Sequence, residues 1–571
     1  MLRTFDEHAI RHTLSLDGWW DFITEPERND RTKLPKTYTR RVYTPLSWET
    51  LPGLENYRGK AWFRRTIEGH DGPVRLVFGG VSHTAKVFID KKQVGFHYDA
   101  FTPFEVVLPK LKAGEHDLVV EVTNAFGEES ALHTENDYYS YGGLTRPTMM
   151  EWPADVFISR MGLTPQRKGR SWALKVHLRL WNTGKKMQRR GVSIQIEGQN
   201  EPLHLGTFLV NANATMEVTK NIPAPDGVEM WTTDNPKLYY VTARVLDEEK
   251  VMDDLIDRVG FRKVEVKGQA IMLNDKPIRL RGYNRHEDHP HYGCAIPLEA
   301  MVQDLVIMRD LNCNFVRTSH YPNDMRFLDL CDEMGFYVWE ESHARAVSFD
   351  QPKFMEQQET STREMIDWHV SHPSIIIWGC MNECESETKR GRGVYEKILK
   401  LIKRLDPSRP MTFASCRNEN DICFDLVDIV SVNRYDAWYR GGMDTENVQS
   451  AWEQFHKFLK SPKSGAKGKP IILSEFGAGA IYGCRQRQKA KWTEEFQVEA
   501  LDACLQYYLH HPDIVGACIW QFCDVRVTPH WFNGRPRTMN NKGTVDEYRR
   551  PKLAYDTVKR CMLEAVQKHD K

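Results

Sequence analysis

The sequence predicts a multidomain chain of three parts: an N-terminal β jelly roll, an immunoglobulin-like β-sandwich and a C-terminal (β/α)8 or TIM barrel. Three observations predict it. The first roughly 160 residues hold short β-rich runs separated by turn residues. A block at about 168–265 repeats alternating apolar and polar positions, the mark of half-buried strands. From about 270 onward, short apolar strands alternate with helical stretches, eight strands in roughly 300 residues.

The first part, expected over 1–163, contains Val74-Arg-Leu-Val-Phe-Gly-Gly, Ala85-Lys-Val-Phe-Ile-Asp and Asp117-Leu-Val-Val-Glu-Val. Gly, Asn and Asp punctuate these runs at turn positions, which suits a jelly roll. The second part, expected over 164–268, contains Trp172-Ala-Leu-Lys-Val-His-Leu-Arg-Leu-Trp, Val192-Ser-Ile-Gln-Ile-Glu and Tyr239-Tyr-Val-Thr-Ala-Arg-Val, which suit an immunoglobulin-like sandwich. In the third part, 269–571, the strand candidates are Ile278–Asn284, Asn314–His320, Tyr337–Ser342, Ile375–Glu383, Thr412–Ser415, Ile429–Tyr435, Ile471–Glu475 and Val515–Phe522. Amphipathic runs such as Leu298–Leu311 and Gln497–Leu509 lie between them. Alternating β and α units point to a parallel sheet, and eight of them to a closed barrel.

Composition narrows the function classes. The 571 residues carry 78 Lys+Arg and 78 Asp+Glu, so no broad basic footprint for nucleic acid is expected. No apolar stretch of about 20 residues exists, so no membrane partner is expected. The start, Met1-Leu-Arg-Thr-Phe-Asp-Glu-His, lacks the apolar region of a secretion signal, and the expected compartment is the cytoplasm. The 12 cysteines begin at Cys294 and form no CxxC pair; they read as reduced thiols. The 16 Trp divide between core and a platform for something flat, such as a sugar ring.

In a (β/α)8 barrel the chemistry sits at the C-terminal ends of the strands. Seven of the eight candidate strand ends carry polar, ionisable or aromatic groups. Glu383 ends the fourth strand and Glu475 the seventh, so both approach one barrel mouth. Either alone reads equally as half of a salt bridge. Together, on opposed strands, they are the two carboxyls that glycoside hydrolysis needs.

Segments across the whole chain resemble glycoside hydrolase family 2, the group containing β-galactosidase and β-glucuronidase. They are Tyr57-Arg-Gly-Lys-Ala-Trp-Phe-Arg-Arg, Arg281-Gly-Tyr-Asn-Arg-His-Glu-Asp-His-Pro, Asn314-Phe-Val-Arg-Thr-Ser-His-Tyr-Pro, His372-Pro-Ser-Ile-Ile-Ile-Trp-Gly-Cys-Met-Asn-Glu and Ile472-Leu-Ser-Glu-Phe-Gly. The resemblance implies that Glu383 is the acid/base and Glu475 the nucleophile of a retaining mechanism, with a sugar-binding role for the jelly roll. Glu383 is expected to be held protonated by partial burial and by repulsion from Glu475. Asn382 is expected on the sugar 2-hydroxyl, Tyr435 as a donor to the nucleophile and Trp520 beneath the sugar; from the residues alone the last two could equally be core aromatics.

The segment Met539-Asn540-Asn541-Lys542-Gly543 resembles the Asn-x-Lys motif with which β-glucuronidases hold a uronic acid carboxylate. Lys542 would bring charge and donors, Asn540 an amide donor, and Arg535 or Arg537 further positive charge. Asp137 resembles a residue reaching from the jelly roll to the sugar 4-hydroxyl, and Tyr439 is also matched. The chain departs from the family at Glu340-Glu-Ser-His-Ala-Arg-Ala and at Asp436-Ala437. His343 and Arg345 are therefore expected to bring extra donors near the non-reducing side, with Arg345 shifting preference toward galacturonate. The connection from Ser342 to Ser371 is short, which suits a more open mouth and oligosaccharide ends.

His286-Glu-Asp-His-Pro-His fails the HExxH spacing, so no metal is predicted. No cofactor is predicted either. His286 and His320 are expected as polar groups around the sugar. The leading expectation is an exo-acting retaining β-hexuronidase acting on a small-molecule or oligosaccharide uronide. A β-galactosidase of the same family and a non-catalytic carbohydrate-binding protein are the alternatives. Relatives are often dimers or tetramers, which leaves a homo-oligomer open.

Overall fold

The jelly roll packs a four-stranded sheet (His12–Ser15, Thr148–Trp152, Gly72–Phe78, Phe104–Leu111) against a six-stranded sheet running from Arg40–Thr44 to Lys92–Tyr98. Between them lie Trp20, Phe22, Phe63, Leu76 and Val120, each on the inward face of its strand, as a two-residue side-chain period requires. The structure, a computed structural model, describes residues 1–30, 33–169, 171–439, 445–529 and 535–569.

The second part is a seven-stranded antiparallel sandwich of three plus four strands. Its first strand is Val156–Lys168, so the boundary expected between residues 163 and 164 falls inside a strand. Chain order hides this, because the strand follows Thr148–Trp152 after only a short connection. A three-stranded meander (Val264–Lys267, Ala270–Leu273, Lys276–Ile278) follows. Its Ile271 and Leu273 pack with Leu280, Phe315, Trp339 and Ile377 of the barrel interior.

Eight parallel strands then close into a barrel: β1 Leu280–Asn284, β2 Phe315–Thr318, β3 Tyr337–Arg345, β4 Ile375–Asn382, β5 Met411–Ser415, β6 Val430–Asn433, β7 Ile471–Phe476 and β8 Ile514–Ile519. All eight expected strands are present. The helices are α1 Leu298–Asp310, α2 Met325–Met334, α3 Phe354–His369, α4 Lys389–Leu405, α5 Val448–Lys460, α6 Glu494–Tyr508 and α7 Ala554–His569. Two 3-10 turns, Asn418–Asn420 and Phe424–Leu426, replace a helix between β5 and β6.

Helix ends follow local chemistry. Asp324 caps α2 by accepting from Arg326 N at 2.9 Å, and α2 stops at Gly335, at φ 70°. A Cβ on Gly335 would lie 2.3 Å from Thr233 O, so only glycine lets the sandwich approach this helix.

Buried ion pairs join the parts. Arg11 bridges Glu151 and Asp253, both at 2.7 Å, and Arg3 reaches Asp329 of α2 at 2.8 Å. Among the described residues no helix is long and apolar enough to cross a membrane, and every cysteine is free.

Candidate active site

The site is built around Arg317, which ends the apolar run of β2. Its guanidinium is fully buried. Nη1 donates to Glu475 Oε1 at 2.8 Å and Asn284 Oδ1 at 2.9 Å; Nη2 donates to Glu341 Oε1 at 2.8 Å and Asn382 Oδ1 at 2.9 Å. Four strands, β1, β3, β4 and β7, are thus tied to one rigid fork. Burial works against the Arg317 charge, but Glu341 and Glu475 outweigh it and hold the group above its ordinary range.

Glu383 follows β4 at φ 53°, a left-handed conformation uncommon for a side chain other than glycine. Its N–H donates to Ala414 O of β5 at 3.0 Å, which secures the turn. Its Oε1 accepts from Asn433 Nδ2 at 3.0 Å and its Oε2 from Arg345 Nη2 at 3.2 Å. Asn433 Nδ2 also lies 3.2 Å from Asn382 Oδ1, so one polar chain links Glu383 to Arg317 and on to Glu475. The other Glu475 oxygen, Oε2, accepts from the Tyr435 hydroxyl at 2.8 Å.

Burial first, and the charge of Glu383 second, push Glu475 up to about 7, against the pull of Arg317 and Arg345. Glu475 is the more enclosed of the two, only 3% exposed, and enclosure is the larger cause.

A second group forms beside the first. Lys542 is buried, and its Nζ donates to the Tyr439 hydroxyl at 2.9 Å. Among the described residues no carboxylate lies in ion-pair reach of it. Burial lowers its pKa, and Arg535 adds to that. Its ammonium faces the rings of Tyr439, Tyr435 and Trp438 at 5.0, 5.6 and 5.6 Å. A β-ribbon of Val525–Arg526 with Met539–Asn540 carries this loop. Gly543 closes it, since a Cβ there would lie 2.3 Å from Asp524 N.

Asp137 is held in a two-point ion pair with Arg535, at 3.0 and 2.6 Å, and accepts from Asn540 Nδ2 at 2.9 Å. The further positive charge anticipated at Arg535 or Arg537 therefore belongs to Arg535, which also reaches Tyr439 at 3.1 Å. Arg537 is a correction: its side chain is 44% exposed and pairs with Glu547. It sits at φ 62°, which turns it out of the site while its neighbour two positions earlier points in.

Arg345 donates to Asn136 Oδ1 at 2.8 Å as well as to Glu383, so it couples the jelly-roll loop to the β4 carboxyl. His343 does not join it. It is fully buried, with Nε2 3.1 Å from the Tyr138 hydroxyl. His320 stacks on Trp520 at 5.0 Å, with Nδ1 3.0 Å from Glu341 Oε1, so one face of the expected sugar platform is already covered. His286 lies behind both, edge-on to Trp520 at 5.3 Å. Arg317, Glu341, Asn433 and Asn136 were not singled out as site residues in the sequence. An arginine ending the apolar run Phe315-Val316 was the available signal.

Models of the glycosyl hydrolases family 2 match the chain in three consecutive pieces: the sugar-binding domain over residues 15–152, a middle domain over 156–262 and the TIM barrel domain over 264–565. The chain belongs to glycosyl hydrolases family 2. As a family 2 member it is a glycoside hydrolase, which sets aside the reading of a mere binding protein. A β-glucuronidase of Streptococcus agalactiae is 27% identical, covering 98% of each chain, and that of Rattus norvegicus is 30% identical, covering 96% of this chain and 90% of the relative. Among solved structures, a family 2 β-galacturonidase from Eisenbergiella tayi bound to galacturonate is 42% identical with a TM-score of 0.92, covering 99% of each chain. A β-glucuronidase from Ruminococcus gnavus, 23% identical, shares the fold with a TM-score of 0.85 over 98% of this chain and 99% of that one.

Proposed function

We propose that this family 2 enzyme is a retaining exo-β-hexuronidase that removes a terminal uronic acid, with β-galacturonide preferred over β-glucuronide. The observation that carries the uronic acid is the buried Lys542 ammonium, placed one aromatic ring away from Glu475. A substrate carboxylate would complete it. A neutral hexose would leave a desolvated charge unmatched, at a cost of about 1–3 kcal/mol or more. The β-galacturonidase and β-glucuronidase relatives support the same substrate class.

In this reading Glu383 gives its proton to the glycosidic oxygen while Glu475 attacks the anomeric carbon. The leaving alcohol departs, and a covalent glycosyl-enzyme remains. Glu383 then takes a proton from water, whose oxygen displaces Glu475 and restores the starting configuration. The productive form has the proton on Glu383 and the charge on Glu475. Arg317 and Tyr435, each donating to one Glu475 oxygen, favour that form. Asn382 Nδ2 is buried and has no partner among the described residues, a donor suited to the sugar 2-hydroxyl. Asn540 Nδ2 gives a bond to Asp137 and keeps its second hydrogen for the ligand. Arg345, between Asn136 and Glu383, is the residue on which the C4 preference rests. We assign the cytoplasm as the compartment, in keeping with free thiols throughout the described residues.

The test is a panel of aryl β-glycosides that differ only at C4 and C6. The galacturonide should be the best substrate, the glucuronide second, and the galactoside lower by orders of magnitude. A galactoside turned over as fast as the uronides would overturn the uronidase reading.

A further inference from the structure

Behind the loop that carries Asn136 and Asp137, three segments bring Asp99, His133 and His343 together. One carboxylate oxygen and one ring nitrogen from each histidine all lie within 4.8 Å of one another, and His343 Nδ1 is 4.0 Å from Asp99 Oδ1. All three residues are buried. His133 Nε2 and His343 Nδ1 have no hydrogen-bond partner among the described residues; the Asp99 carboxylate accepts from Phe101 N at 3.1 Å through Oδ1, its oxygen nearer His343, and faces the Ser361 hydroxyl. Buried polar atoms are ordinarily paired, so two unpaired imidazole nitrogens beside a buried carboxylate call for an occupant.

The opposite edges of both rings are held. His133 Nδ1 is 2.8 Å from the Tyr98 hydroxyl, which also accepts from Leu132 N at 3.0 Å. His343 Nε2 is 3.1 Å from the Tyr138 hydroxyl. Such outer hydrogen bonds orient metal-bound imidazoles. Burial keeps both rings neutral, with His343 lowered to about 3 and His133 well below its ordinary value, so each has a lone pair to offer.

We propose that Asp99, His133 and His343 bind one divalent transition-metal ion of the zinc class, fixing the jelly-roll loop to barrel strand β3. Two imidazoles and a carboxylate suit such an ion, with water completing the shell. Metal–ligand bonds of about 2.0–2.1 Å put neighbouring donors about 3.3 Å apart, so donors that lie within 4.8 Å of one another draw together by up to about 1.5 Å on binding. His133 lies three positions before Asn136 and His343 two before Arg345. The ion is therefore a positioning element for the Asn136–Arg345 contact and touches no substrate. Two other clusters lack this character. Asp329, Asp332 and His372 already face Arg3 and Arg258, and His456 pairs with Asp513.

The experiment uses the whole chain, stripped with a chelator and titrated with Zn2+ alone and Co2+ alone. Elemental analysis should find about one ion per chain, and the Co2+ form should show visible d–d bands without a thiolate charge-transfer band. Asp99→Asn and His343→Gln should weaken binding at least about tenfold and abolish the rise in melting temperature that Zn2+ gives the wild type. A wild type that takes up no ion, its triad holding a buried water only, would overturn the proposal. So would a thiolate band, or folded variants that keep stoichiometric binding. If the variants fail to fold, the wild-type titration and spectrum decide alone.

Discussion

A single aromatic ring separates Lys542 from Glu475: the ammonium lies 5.6 Å from the Tyr435 ring, whose hydroxyl donates to Glu475 Oε2 at 2.8 Å. A cation for one end of a sugar and a nucleophile for the other are thus held at fixed separation by one rigid side chain. Replacing Lys542 by Met keeps much of the volume and removes the charge. kcat/KM for aryl uronides should fall by about 10²–10⁴, because a lost charged contact and a newly unpaired substrate carboxylate both count. The small activity on the matching galactoside should change far less. Parallel kinetics on the two substrates measure this.

The raised carboxyl at Glu475 sets the acid limb. With its pKa near 7, the free enzyme loses its charged nucleophile as pH falls through neutrality. kcat/KM should therefore decline below about pH 7 rather than in the usual carboxylate range near 4–5. Part of that elevation comes from Glu383. In Glu383→Gln, assayed on a glycoside whose leaving group needs no acid, the limb should move to lower pH. A limb that stays in place would mean that Glu383 does not act on Glu475.

Stability carries the same signature. The folded state holds the Glu475 proton up to about 7, whereas an unfolded glutamate releases it near 4.3. Between those values the folded chain binds more protons, so this group's contribution declines as pH rises through the window. Glu475→Gln should remove that cost and raise the melting temperature at pH 8, by the equivalent of about 3–4 kcal/mol, with little gain at pH 4. Calorimetry at both pH values checks it.

Arg345 touches both Asn136 and Glu383. Arg345→Ala should lower the ratio of galacturonide to glucuronide turnover by about tenfold, the worth of one or two hydrogen bonds. Initial rates on the nitrophenyl pair report this, and an unchanged ratio would remove Arg345 from the C4 choice.

Much of this was legible from residue order. Strand ends could be read because an apolar run stops where the chain leaves the barrel, so Glu383, Asn382 and Glu475 announced themselves. Arg535 and Arg537 could not be separated in that way. They are two positions apart in one loop, and the left-handed backbone at Arg537, with Glu547 as partner, decides which one faces Asp137. The raised pKa of Glu475 was equally hidden, since it depends on how deeply that carboxyl is enclosed.

By itself, the sequence determined three successive folds, eight barrel strands, two carboxyls at strand ends and an Asn-x-Lys loop, all of which rest on local periodicity and short motifs. The tertiary structure alone decided what those groups meet. Arg317 collects Glu341, Asn382 and Glu475 from three strands, Asp137 crosses from the jelly roll to Arg535, and Asp99, His133 and His343 converge from three segments. Charge and coordination act through space, and no spacing along the chain encodes a distance between residues brought together only by folding.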